Sequence, residues 1–171
     1  MSNYIDTSKW TYFKLSDIFI FEKGKCSNST ELNDEIQEVP YVGAKKTSNG
    51  VMKWVERDDA LISKGNCVIF ICQGEGSNGY NLYFDIDSIQ TTSNMIGYNE
   101  HLNEFNALFL ITILDLERPK WYFGRGRAPK LKDTVIKLPS KNNEPDWKYM
   151  EEYIKCLKTK EKERILSFLN Y

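Results

Sequence analysis

One stretch restricts the fold of this 171-residue chain more than any other: an apolar run that ends in a cluster of glycines. Asn66 to Ile71 is rich in apolar and β-branched side chains, the pattern of a buried strand. It runs into Gly74-Glu-Gly-Ser-Asn-Gly79, the G-x-G-x-x-G spacing that cradles a pyrophosphate in dinucleotide-binding folds. Such a cradle needs a helix to open at the third glycine, because the amides of a helix N-terminus hold the phosphate. Here Gly79 opens Tyr80-Asn-Leu-Tyr-Phe84, which is aromatic and strand-like. The glycines therefore predict a connection between two antiparallel strands, and no nucleotide cofactor is expected.

Around that hairpin the chain alternates short strands and turns. Trp10-Thr-Tyr-Phe-Lys-Leu15 alternates large apolar and polar residues and predicts a strand. Ser16-Asp17 begins a turn or short helix into Ile18-Phe-Ile-Phe21, and residues 26–38 are polar and predict a loop. Val39–Val42 and Val51–Val55 predict strands, with a tight turn at Asn49-Gly50 before the second. Ile89–Tyr98 has mixed strand character, and Val135–Leu138 predicts a last strand stopped by Pro139. Asn103–Leu114 changes to helical spacing, with Phe105, Leu108, Phe109, Thr112 and Ile113 on one face. Asn142-Asn-Glu-Pro-Asp146 then supplies capping residues and a proline suited to a first helical turn. Beyond it there is no Gly or Pro, and Trp147, Met150, Ile154, Leu157, Ile165 and Phe168 recur at spacings of three, four or eight. That spacing predicts a long amphipathic helix with a charged outer face. The expected fold class is α+β: a twisted, mostly antiparallel β-sheet with few helices over residues 1–142, then a long C-terminal amphipathic helix over 143–171.

The hydrophobic fraction of 41% is that of a globular chain, and a formal net charge of −1 gives no overall attraction to polyanions. The charge is segregated, however. Glu31-Leu-Asn-Asp-Glu-Ile-Gln-Glu38 has four acids and no base, whereas Arg118-Pro-Lys-Trp-Tyr-Phe-Gly-Arg-Gly-Arg-Ala-Pro-Lys-Leu-Lys132 has six bases and no acid. Cysteines at 26, 67, 72 and 156 form no C-x-x-C, and the single His101 has no companion at ligand spacing, so no metal site is expected. The start of the chain has no apolar signal-like core, and no run reaches membrane-spanning length. A reduced, soluble, cytoplasmic protein is expected.

No complete catalytic set is present. G-x-S-x-G, H-E-x-x-H and a P-loop lysine are all missing, as is the Asp/Asn-Pro-Pro-aromatic motif of amino-methyltransferases. Asp146-Trp-Lys148 matches the acid-x-Lys pattern of metal-dependent nucleases, but a helix cap accounts for Asp146. What remains is a binding surface. The basic segment interleaves cations with aromatics and glycines, the composition of a loop that approaches a phosphodiester, with Lys45, Lys46 and Asn49 as a second contact loop. The bland alternative, a solvated basic loop that binds nothing, stays open on composition alone. The amphipathic helix likewise has two outcomes: it folds back on its own domain, or it pairs with a partner.

The order of the segments carries a resemblance. Trp10 and Leu15-Ser-Asp-Ile-Phe19 with Gly24 open it, followed by Val39-Pro-Tyr-Val42, Asn49-Gly50-Val51, Val68-Ile-Phe-Ile71 with its glycine hairpin, and Phe109-Leu110. Ile136-Lys-Leu-Pro139 and Glu144-Pro-Asp-Trp-Lys-Tyr-Met-Glu151 close it. The succession resembles the target recognition domain of type I restriction–modification specificity subunits, and the related specificity subunits of type IIB and IIG systems. The resemblance implies an α/β recognition domain that reads half of a split DNA target through loops. It also implies a spacer helix that packs on a second such helix and on methyltransferase subunits. Specificity subunits carry two recognition domains and two helices; this chain has one of each and resembles a half-subunit, which would need to dimerise, or an excised half.

The function this implies is a non-catalytic, sequence-specific subunit that binds double-stranded DNA. Lys45, Lys46, Lys120, Lys130 and Lys132 would position phosphates, while Asn49, Gln73, Asn78, Arg125 and Arg127 would reach base edges. Homodimerisation is expected through Trp147, Met150, Ile154, Leu157, Ile165 and Phe168. Methyl transfer with S-adenosylmethionine would belong to a methyltransferase partner and cleavage to a restriction subunit, with no cofactor in this chain. The alternative is a protein-interaction module that docks on a methyltransferase or nuclease to modulate it without reading DNA.

Overall fold

The computed structural model describes residues 5–121 and 126–169. In chain order its elements are β1 (Thr11–Lys14), α1 (Leu15–Ile18), β2 (Ile20–Lys23), β3 (Val39–Val42), β4 (Val51–Val55), β5 (Ile62–Ser63) and β6 (Cys67–Ile71). Then follow β7 (Asn81–Phe84), β8 (Ser88–Gln90), β9 (Asn94–Tyr98), α2 (Glu104–Asp115), β10 (Val135–Leu138), β11 (Ser140–Lys141), β12 (Glu144–Pro145) and α3 (Trp147–Leu169). The fold is α+β with mostly antiparallel pairing, as expected from the sequence. It contains two four-stranded sheets rather than one, in the orders β2-β9-β6-β7 and β4-β3-β8-β5. The parallel pair β3–β8 was not foreseen, since its partners are separated by four intervening strands.

Strand β6 explains the layering. All of its residues are buried, because both faces of the strand are covered. Val68 and Phe70 face the helices, in a core with Phe19, Leu110, Leu114, Leu138 and Met150. Cys67, Ile69 and Ile71 face the second sheet, packing with Val42, Leu82, Phe84 and Ile96. Alternate side chains of one strand therefore feed two cores, which is why its sequence is continuously apolar rather than alternating. A third core lies around Cys26, Val39, Tyr41, Val55, Ile62 and Ile89. The ladder β1–β10, with Thr11 opposite Leu138, brings the two ends of the domain together.

Helix α2 starts with a reciprocal cap. Asn103 Oδ1 accepts from the amides of Phe105 (3.0 Å) and Asn106 (3.1 Å), and Asn106 Oδ1 accepts from the Asn103 amide (2.8 Å). Its buried residues are Asn106, Ala107, Phe109, Leu110 and Leu114, whereas Leu108 is 37% exposed and Thr112 is exposed. Of the face expected from spacing, Phe109 is buried and Phe105 and Ile113 are partly so, while Leu108 and Thr112 face outward. The helix is apolar nearly all round and is covered by β7 and β10 as well as by α3, so its periodicity marks no single stripe.

Helix α3 is capped by Asp146, whose Oδ1 accepts from the Tyr149 amide at 3.0 Å. Pro145 lies before the cap, in β12, and not in the first helical turn as expected. The helix divides in two. Met150 is completely buried in the main core, with Trp147, Tyr153 and Ile154 partly buried against it, and Phe109 meets Tyr153 edge-on at 5.6 Å. This corrects the expectation that Trp147, Met150 and Ile154 serve a partner chain: α2 already covers them. Leu157, Ile165 and Phe168 are 41%, 55% and 71% exposed, as are Leu166 and Leu169 at 47% and 74%. No helix among the described residues is long and apolar enough to cross a membrane.

Candidate nucleic-acid interface

Three segments meet at the turn end of β6–β7. The glycine cluster closes as a hairpin: the Ile71 and Gly79 amides bond across it at 3.0 Å each, to Tyr80 O and Ile71 O. β7 follows, so no helix is available to cap a phosphate. Gly79 has φ +95, and a Cβ there would sit 3.2 Å from the Trp121 ring and 3.3 Å from Arg118 Cγ. Gly74 has φ +110, and its Cβ would lie 3.0 Å from Ala44 O. These two glycines let the hairpin press against the 118–121 turn on one side and the 44–50 loop on the other.

The side chains join the same three segments. The Arg118 guanidinium lies 3.6 Å from the centroid of the Tyr80 ring, and Lys46 Nζ is 5.7 Å from the same ring. Asn78 Nδ2 donates to Trp121 O at 3.0 Å. Lys120 is exposed and pairs with Glu117, and Lys130 is exposed on the short turn Ala128–Lys130. Leaving aside Arg127, which is buried, 44–49, 73–79, 115–121 and 126–130 hold five bases (Lys45, Lys46, Arg118, Lys120, Lys130) and three acids (Glu75, Asp115, Glu117). The surface here is positive even though the whole chain is not.

Several candidates from the sequence hold other positions. Gln73 is exposed at the hairpin and accepts from Ser93 Oγ at 3.3 Å. Asn49 is exposed, with φ 48, and its Nδ2 donates to Tyr83 O (3.3 Å) on the sheet edge β7. Lys45 is half-buried. Lys132 is exposed, but its carbonyl accepts from Ser16 at 3.0 Å, which places it beside α1. Arg125 lies outside the described residues.

Arg127 is a correction. It is 1% exposed, and Nη1 donates to Ile71 O and Tyr80 O at 3.1 Å each while Nη2 donates to Asn81 Oδ1 at 2.6 Å. A guanidinium so enclosed does not reach a base edge. Burial brings its pKa down to about 10, opposed by the charges of Asp115 and Glu117, so it stays charged at neutral pH. Burial also raises the pKa of Asp115, against the hydrogen bond from Asn81 and the charges of Arg118 and Arg127. Sequence reasoning gave Arg118 only as part of the basic segment and passed over Tyr80, Asn81 and Asp115. Asn81 did leave a signal: a polar residue at the start of an otherwise apolar strand needs a buried partner. Among the described residues no group of three or more His, Cys, Asp or Glu is placed to hold a metal ion.

Residues 7–167 match the family model of the type I restriction modification DNA specificity domain. The chain belongs to this family. As a DNA specificity domain it is 27% identical, over 164 residues, to the specificity subunit S.BcgI of a type II restriction enzyme from Heyndrickxia coagulans. That match covers 95% of this chain and 47% of the relative. The fold is shared with the type I restriction–modification S subunit from M. genitalium, at a TM-score of 0.64 and 20% identity, covering 95% of this chain and 43% of that one. It is shared as well with the HsdS subunit from Thermoanaerobacter tengcongensis, at a TM-score of 0.62 and 12% identity, covering 94% of this chain and 40% of that one. This specificity domain thus spans a little under half the length of the relatives it matches.

Proposed function

We propose that this chain is a non-catalytic DNA-binding specificity subunit that reads one half of a bipartite target. The reading rests on family membership together with one structural observation: three loops of separate origin converge at the β6–β7 turn and carry a local excess of cations. Lys45, Lys46, Lys120 and Lys130 neutralise phosphates and fix the register of the duplex. Gln73, Asn49 and Arg118 supply the forked amide and guanidinium groups that address base edges. Lys132 contacts the backbone further along. Such a subunit works where the DNA is, in the cytoplasm, and leaves S-adenosylmethionine chemistry and cleavage to methyltransferase and restriction subunits.

The recognition body corresponds to residues 1–142 and the spacer to 143–171. The exposed apolar residues Leu157, Ile165 and Phe168 pair with a second copy around a two-fold axis, so that two bodies read inverted half-sites. The test is selection from random-sequence duplex DNA with the chain and its methyltransferase partner. A split, inverted-repeat consensus is the expected result. Retained partner binding with no enriched sequence would instead identify a docking module that modulates its partner without reading DNA. In the enriched duplex, Lys46→Ala weakens binding to all sequences and reduces the slope of log K against log salt by about 1.

A further inference from the structure

The end of the β6–β7 ladder is occupied by a guanidinium. Ile71 O already accepts the Gly79 amide and Tyr80 O the Ile71 amide, so Arg127 Nη1 takes a second lone pair on each carbonyl. Nη2 takes Asn81 Oδ1, and the Nδ2 of the same Asn81 donates to Asp115 Oδ1 (2.7 Å) at the end of α2 and to Gly79 O (3.2 Å). Asn78 fastens Trp121 O to the same hairpin. The two flanks of residues 122–125 are therefore tied to one hairpin, at Trp121 on one side and at Arg127 on the other. Two carbonyls and an amide oxygen suit a planar fork of several donors; a lysine ammonium is a single point. A cation buried to this degree is tolerated only when hydrogen-bonded, and it has no surface left for a phosphate.

We propose that Arg127 is a positioning residue for target reading: it locks residues 118–121 and 126–130 onto the glycine hairpin, so that these turns and the hairpin meet the duplex as one surface. This deepens the DNA-reading assignment and rests on it. Arg127 contributes no phosphate contact of its own, although it lies in the most basic stretch of the chain. Its removal lowers sequence discrimination and leaves the electrostatic part of binding in place.

The test compares wild type with Arg127→Lys and Arg127→Gln on two duplexes of equal length, one enriched by the wild-type chain from a random pool and one unrelated. Both variants are expected to bind the unrelated duplex as wild type does, with the same salt slope, and to lose roughly tenfold or more in discrimination. Trypsin is expected to cut both variants faster at Lys120 and Lys130, and at the wild-type rate on α3. Retained discrimination overturns the proposal. So does a slope reduced by about 1 with uniform weakening, which would make Arg127 a phosphate contact. If neither variant folds, Arg127 is a core residue and the positioning role is likewise overturned. If wild type enriches no sequence, the DNA reading fails, while the trypsin comparison still reports on the fastening.

Discussion

Asp87 shows how one carboxylate can set acid sensitivity. Its Oδ1 accepts from the Gly65 amide at 3.0 Å, and its Oδ2 meets Arg57 at 3.0 Å and Lys64 at 3.4 Å. The Gly65 hydrogen bond, then those from Arg57 and Lys64, hold its pKa below the ordinary aspartate value of 3.8. A carboxylate depressed on folding adds stability above its unfolded pKa, and that stability is lost as pH falls through the folded one. Asp87→Asn is expected to lower stability at neutral pH and to flatten the loss of stability below pH 3.8, read from urea midpoints across pH. Gly79 sets a different residue-scale constraint. With φ +95 and Trp121 close to any added Cβ, Gly79→Ala is expected to cost about 1–3 kcal/mol, seen as a lower urea midpoint at unchanged slope.

At the scale of elements, α3 is half core and half free surface. Met150→Ala removes a completely buried side chain and is expected to cost about 2–5 kcal/mol. Phe168→Glu changes a residue that is 71% exposed and is expected to leave the stability of the single domain, measured at dilutions where the chain is monomeric, in place. If the distal half pairs with a second copy, Phe168→Glu converts a dimer to a monomer in light scattering, and Met150→Ala does not. The helix was legible in the sequence because a stripe at spacings of three and four survives any partner. Which neighbour covers each part of the stripe was not legible, since that depends on α2, some forty residues earlier in the chain.

On the scale of the whole molecule, the three buried cysteines sit one in each core: Cys72 beneath the helices, Cys67 between the sheets and Cys26 in the third cluster. Burial pushes the thiol of Cys67 up to about 12 and that of Cys72 to about 11, so neither is a thiolate at neutral pH. Cys156 is exposed. Alkylation of the native chain is expected to label Cys156 quickly and the other three slowly. If the domain opens as one cooperative unit, mass mapping finds those three labelled at a common rate. Distinct rates would show cores that open separately. The hairpin, the strand β6 and the α+β class were readable because each follows from local pattern. The burial of Arg127 was not, because a run of charges reads as exposed surface while its acceptors lie 46, 47 and 56 residues away.

The length of α3 has a consequence for a duplex read from both ends. Its 23 residues extend for about 35 Å at 1.5 Å each, close to one full turn of B-form DNA. In the proposed dimer, two reading bodies held that far apart would face the same side of the double helix. Each residue added to or removed from such a spacer shifts one body by about 16° in rotational phase, given roughly 34 Å per turn. A single turn of helix, about four residues, moves it by roughly 60°, so in the proposed dimer spacer length would set where around the duplex the second half-site lies.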